Sequence, residues 1–198
     1  MTVSVKIEFT SKSIAEAVLI VMTPVIGLIV NAPPLLPAVI EYESEQKGRN
    51  REEILHGLAK AWSVMKDAVQ TGLEEDMTSR SGMVTNGAKK VYRYPKAVLS
   101  KEFQYLISRA LAAKEVNSCM GRVVAAPTAG ASGIMPGVLF TLQEIHEIDD
   151  EKIIDAMLLA AGIALIIEQK ASISGAVGGC QAETGTAAAM GAGSIVYC

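Results

Sequence analysis

Residues 149–170 read DDEKIIDAMLLAAGIALIIEQK. Asp149 and Asp150 suit a helix start, where unpaired N–H groups and the positive end of the helix dipole favour carboxylates. Ile153, Ile154, Met157, Leu158, Leu165, Ile166 and Ile167 then cover most of the helix circumference. A helix that is apolar most of the way round belongs at the centre of a bundle. Two-residue alternation is missing beyond short runs such as VSVKIEF near the start, so no sheet is expected. The reading is an all-α fold, a compact helical domain with two Gly/Ala/Ser-rich loops at helix ends.

Three further helices surround that centre. Asn50 and Glu53 have the spacing of a capping box, and Ile54, Leu58, Trp62, Met65 and Val69 recur as one apolar face up to Gly72. Ser100 is placed to cap a helix carrying Phe103, Ile107 and Leu111 on one face, the apolar side expected to pack. Pro136 fits the first turn of a helix with Val138, Leu142 and Ile145 inward. Between them, EYESEQKGRN at 41–50 reads as a polar connector and EEDMTSRSGMVTNGAKK at 74–90 as a turn-rich loop.

Two stretches are built almost wholly of small residues: APTAGASGIMPG at 126–137 and ASISGAVGGCQAETGTAAAMGAG at 171–193. Glycine without a use weakens a helix by roughly 1 kcal/mol against alanine, so something must approach the backbone closely. Tight helix packing is one reading. The other is an anion site, since N–H groups at helix starts favour a carboxylate or phosphate, with Thr128, Ser132, Ser172 and Ser174 adding hydroxyls. A phosphate-binding Gly-Lys-Ser/Thr is absent, and GAGSIV at 191–196 holds only two glycines of a dinucleotide fingerprint. Taken alone, Cys180 reads as a small buried hydrophobe, Glu183 as an ordinary helix-start charge, and His56 and His146 as surface histidines.

Composition excludes several classes. The 198 residues are 50% hydrophobic with a net charge of –3 and 5% aromatics, which offers neither a basic footprint nor stacking platforms for nucleic acid. Three widely spaced cysteines, Cys119, Cys180 and Cys198, form no disulfide framework or self-contained zinc spacing; a reduced, cytoplasmic setting is expected. From Ala17 to Ile40 no residue is charged, but Pro24, Pro33, Pro34 and Pro37 interrupt the helix that a membrane span would need. Acidic Glu8 and Glu16 precede this run, a poor fit to a secretory signal. Residues 1–40 are therefore set apart as an apolar, proline-interrupted segment, with 41–198 as the helical domain and no membrane role expected.

EVNSCMGRVVAAPTAGASGIMPGVL (115–139) and ASISGAVGGCQAETG (171–185) resemble the signature segments of the α chain of bacterial iron–sulfur L-serine dehydratase. EQKGRNREEIL and SRSGMV…GAKK resemble earlier parts of that chain, in the same order. The resemblance implies a lyase converting L-serine to pyruvate and ammonia with a 4Fe–4S cluster, whose open iron acts as a Lewis acid on the substrate hydroxyl. It places one cluster ligand at Cys180. Thr128, Ser172 and Ser174 are the candidates for substrate contact by matching position and loop chemistry. A serine dehydratase β chain and an oligomeric enzyme are the implied partners.

The chain departs from the family's pattern in three ways. The other two cluster cysteines lie in a downstream segment that this sequence does not contain; Cys119 and Cys198 do not match them, and Cys198 is expected in the core of the last apolar helix. No histidine lies in the signature stretches, so the catalytic base is unknown. The apolar run at 17–40 reads as an insertion. A catalytically silent, truncated α-chain fragment, binding a partner or a small anion, is therefore the alternative reading.

Overall fold

The computed structural model describes residues 32–95 and 99–198. Those residues form seven α-helices and one 3-10 turn, with a single isolated bridge, Thr78 to Thr85, in place of any strand. The helices are α1 (Ala32–Lys47), α2 (Arg51–Glu74), α3 (Gly87–Arg93), α4 (Lys101–Ser118), α5 (Ile134–His146), α6 (Asp150–Lys170) and α7 (Gly175–Tyr197), with the turn at Ala129–Ala131. Of the apolar run, residues 17–31 lie outside the described residues. Its end begins α1, which carries Pro37 inside it and crosses residue 40 to Lys47. The expected polar connector is thus mostly helix, leaving Gly48–Asn50 as the link. No helix among the described residues is long and apolar enough to cross a membrane.

The capping box forms as expected: the Glu53 N–H donates to Asn50 Oδ1 and the Asn50 N–H to Glu53 Oε2, each at 2.9 Å. Ser100 caps α4, and Asp149 caps α6 by accepting from the Lys152 N–H at 2.7 Å. The central helix is confirmed in its first half, where Ile153, Ala156, Met157, Leu158, Leu159, Ala160 and Ile163 are buried. Its last turns differ: Leu165, Ile166 and Ile167 are only half-buried. α6 is flanked by α1, α2 and α7, and a core of Trp62, Met135, Leu139, Ile153 and Met190 joins it to α2, α5 and α7.

The α4 expectation is overturned. Phe103 and Leu111 are exposed, while Gln104, Ser108, Arg109, Ala112, Ala113, Glu115 and Val116 are buried. Backbone proximity explains the reversal. A Cβ on Gly137 of α5 would stand 2.8 Å from Ala110 Cβ and 2.9 Å from Ala110 N, and one on Gly72 of α2 would strike the Ala112 carbonyl. Small residues let three helices meet at near-backbone distance, and larger side chains are turned outward. The polar members of the buried face hold α3 at both ends. Glu115 Oε1 accepts from the Gly87 N–H at 2.7 Å, and Gln104 Nε2 donates to the carbonyls of Val91 and Tyr94. This tertiary capping is why α3 emerges from what reads locally as loop. On α5, Val138 is buried as expected, but Ile145 is exposed and Leu139 takes the central place.

A polar knot joins α2, α5 and α6. Asp150 accepts from Trp62 Nε1 at 2.8 Å, Lys66 Nζ at 3.0 Å and Gln143 Nε2 at 2.8 Å. The Gln143, Trp62 and Lys66 hydrogen bonds hold its carboxyl down from 3.8 to about 2. A depressed carboxyl contributes stability that is present above its unfolded value and is lost as pH falls through the folded one.

Two predictions follow from this packing. Gly137→Ala is expected to lose about 1–3 kcal/mol by overpacking against Ala110, read as a fall in thermal unfolding temperature. Asp150→Ala strands the buried Trp62 indole N–H, at about 1–3 kcal/mol; with the Asp150 side chain 55% exposed, its Lys66 pair adds little. Between roughly pH 4 and 2 the variant should show a shallower loss of stability than the parent chain, because the carboxyl that titrates there is gone.

Candidate functional site

The two small-residue stretches fold differently. The first is a loop: Thr128 leads into the 3-10 turn at Ala129–Ala131, and α5 starts after Gly133 without a side-chain cap. Pro136 lies in the first turn of α5 as expected. The second is loop only at Ala171–Ser174, and from Gly175 it is α7. Two small-residue loops at helix ends thus become one loop and one helix. The helix is broken at Gly179, where φ 73 and ψ 178 are open to glycine alone without strain. Cys180 therefore opens the longer run of α7, and it is exposed.

The loops meet at Glu183. A Cβ on Gly175 would lie 2.7 Å from Glu183 Oε1, and one on Gly130 would strike Oε2. Glycine at these positions leaves room for a carboxylate, which answers in part why the stretches are so smooth. Elsewhere the packing reading holds: Gly133 lies on the Ala110 carbonyl, and Gly193 leaves space for Ile163. Lys114 Nζ donates to the Gly130 carbonyl at 2.9 Å and Asn117 Nδ2 to the Ala129 carbonyl at 3.0 Å, so α4 fixes the first loop from outside.

The candidate hydroxyls divide into two kinds. Thr128 Oγ1 and Ser132 Oγ are buried with no hydrogen-bond partner, and Ser132 is only 1% exposed. Ser174 Oγ caps α7 by accepting from the Ala176 N–H at 3.2 Å, and Ser172 Oγ accepts from the Ser174 N–H at 3.1 Å. Ser172 and Ser174 therefore shape their own loop, whereas Thr128 and Ser132 keep unused capacity. Behind both loops a cavity of about 290 Å³ reaches Ala125, Ala126, Pro127 and Ile173, and it is lined by Met65, Met135, Met157 and Met190 with Glu168 among its polar groups.

The three cysteines are not brought together. Cys119 follows α4, half-buried, and Cys180 and Cys198 stand at opposite ends of the long run of α7, about 27 Å apart at 1.5 Å per residue. Cys198 is exposed at the end of α7, contrary to its expected place in the core. Among the described residues no three His, Cys, Asp or Glu side chains gather to hold a metal. These residues present one exposed thiol beside the loops and do not by themselves fit a four-iron cluster, which takes at least three protein thiolates. His56 and His146 are exposed, as expected.

Sequence reasoning took Glu183 for an ordinary helix-start charge and passed over the loop-fixing pair Lys114 and Asn117. One signal was available: Glu183 is the single carboxylate in either small-residue stretch. The positions of Lys114 and Asn117 against the loop depend on tertiary contact and leave no local mark.

A family model described as serine dehydratase alpha chain matches residues 32–198. Among curated relatives, a probable L-serine dehydratase alpha chain of Bacillus subtilis is 38% identical over 161 residues, covering 80% of this chain and 53% of the relative. An L-serine dehydratase alpha chain of Peptoniphilus asaccharolyticus is 35% identical over 161 residues, covering 80% and 55%. An L-serine dehydratase of Streptomyces coelicolor is 34% identical, covering 77% and 35%. The chain spans about half the length of the two alpha chains. No solved structure matches it significantly.

The hydroxyls yield a further prediction. Ser132→Ala and Thr128→Val remove groups that the fold leaves unsatisfied, so each is expected to be neutral or to stabilise by up to about 1 kcal/mol. Ser174→Ala removes a helix cap and should destabilise by about 1 kcal/mol. Thermal unfolding of the three variants checks the contrast, and a clear loss at Ser132→Ala would show that its hydroxyl has a partner in the folded chain.

Proposed function

The chain belongs to the serine dehydratase alpha-chain family, and we propose that it takes part in the deamination of L-serine to pyruvate and ammonia, working with a separate β chain. The observation that carries this reading is the junction at Gly130, Glu183 and Gly175. There, two segments of the family-matched region meet beside unsatisfied hydroxyls and an exposed thiol. A small zwitterion suits such a junction. Its carboxylate would lie toward the uncapped start of α5, where N–H groups favour anions, with Thr128 Oγ1 as a hydrogen-bond partner. Ser172 and Ser174 would hold the facing loop in shape and offer their hydroxyl protons.

Cys180 is proposed as one ligand of a 4Fe–4S cluster, on the strength of its match to the family's GGCQ segment. The remaining ligands would come at least in part from residues beyond those described, since Cys198 stands at the far end of α7 from Cys180 and no three candidate ligands gather among the described residues. No step of the reaction is assigned to the cluster from the residues described. The proton-abstracting base would come from elsewhere in the assembled enzyme, because neither histidine lies in the two small-residue stretches. The lack of any gathered set of three ligands among the described residues also favours a second reading, a catalytically silent helical module that binds a partner or a small anion.

Anaerobic reconstitution with iron and sulfide, with and without an added β chain, separates the two readings. The lyase reading expects bound iron and serine-dependent pyruvate in the assembled protein, Cys180→Ser without iron, and Thr128→Val with a raised KM. An assembled protein that holds no iron and forms no pyruvate would leave the silent module.

A further inference from the structure

We propose that Glu183 holds the ammonium group of the substrate and so selects a free α-amino acid over the corresponding hydroxy acid. This rests on the serine reading of the junction. The carboxylate lies where the two loops meet, against Gly130 and Gly175, and it is half-buried. The five ion pairs of the described residues all lie elsewhere. Lys114, the cation that reaches this loop, is directed to the Gly130 carbonyl. The Glu183 carboxylate therefore has no ion-pair partner within 4 Å among the described residues, and neither small-residue stretch supplies one, since Glu183 is the only charged side chain in residues 126–137 and 171–193.

The rest of the junction points to what completes it. The buried and unpartnered Ser132 Oγ and Thr128 Oγ1 belong to the loop on which Gly130 sits. Hydroxyls and helix-start N–H groups suit the carboxylate end of an amino acid. The hydroxyls can accept a hydrogen bond from an ammonium but carry no charge to neutralise it, and Glu183 is the anionic group present in either stretch. The two glycines keep that acceptor accessible: a methyl group at either would press on the carboxylate.

The test compares L-serine with 3-hydroxypropanoate, its analogue without the amine, by titration calorimetry on the full chain. The parent chain is expected to prefer serine by about tenfold or more, the scale of a charge-assisted hydrogen bond. Glu183→Gln, isosteric and checked for unchanged thermal unfolding, should reduce the preference to about twofold or less while leaving 3-hydroxypropanoate binding as it was. Gly130→Ala should shift the preference the same way without altering the carboxylate itself. A Glu183→Gln variant that keeps the full preference overturns the assignment and leaves the serine reading intact, as would a parent chain that binds both ligands equally. A parent chain that binds neither ligand overturns this assignment, while pyruvate formation in the assembled protein decides the serine reading separately.

Discussion

The backbone of α4 at Ala110 and Ala112 is the surface on which the molecule is assembled. Gly72 of α2 and Gly133 and Gly137 at the start of α5 lie directly against it, with no space for a Cβ. Contact this close gains dispersion along whole turns of helix and requires side chains small enough not to interfere. It also fixes where the 126–133 loop can run. Once Gly133 and Gly137 are seated on Ala110, the loop must pass over the last turns of α4, where Lys114 and Asn117 take its carbonyls. The junction with α7 follows from that path, because the 3-10 turn then lies against α7.

The dominance of backbone contact explains which parts of the fold could be read in advance. Signals carried within one helix were legible: the Asn50–Glu53 box, the Ser100 and Asp149 caps, and the burial of Ile153, Met157 and Leu158. Signals that depend on what a helix faces were not. The Phe103, Ile107 and Leu111 periodicity is genuine, yet α4 buries its opposite side because Ala110, Ala112 and Ala113 permit an approach that phenylalanine would block. The helix α3 was missed for a related reason. Its caps are Glu115 and Gln104, at least ten residues away in sequence, and local patterns do not register a cap supplied by a neighbour.

The same distinction divides the candidate site. Cys180 and Thr128 could be picked out because a motif or a loop composition surrounds them. Glu183 could not be told from an ordinary helix-start charge without knowing that Gly130 and Gly175 converge on it. Nor could composition show that most of the second small-residue stretch belongs to a 23-residue helix, broken once at Gly179. Glycine has three uses here: helix contact at Gly133 and Gly193, conformational freedom at Gly179, and space for a carboxylate at Gly130 and Gly175. Only the last bears on ligand binding, so a count of glycines overstates the site and the positions define it.

At this junction, unfinished hydrogen bonding on one loop accompanies a carboxylate that belongs to none of the ion pairs of the described residues. Packing alone would favour alanine at 132 and valine at 128, since a buried hydroxyl without a partner is less stable than an apolar group of the same shape. It would also favour an apolar side chain at 183, where a carboxylate occupies the space that Gly130 and Gly175 leave. The rest of the core follows that preference, with Leu139, Ile153 and Leu159 filling their spaces. Elsewhere in the interior Asp150 answers Trp62 and Thr141 answers Arg109 Nη1, while Arg109 Nε and Glu115 Oε2 on the buried face of α4 are left open. Orphaned donors and a lone carboxylate, gathered where two loops meet, therefore form a set of complementary demands: an anion for the hydroxyls and a cation for Glu183. A small zwitterion meets both at once, and neither inorganic phosphate nor a simple amine would.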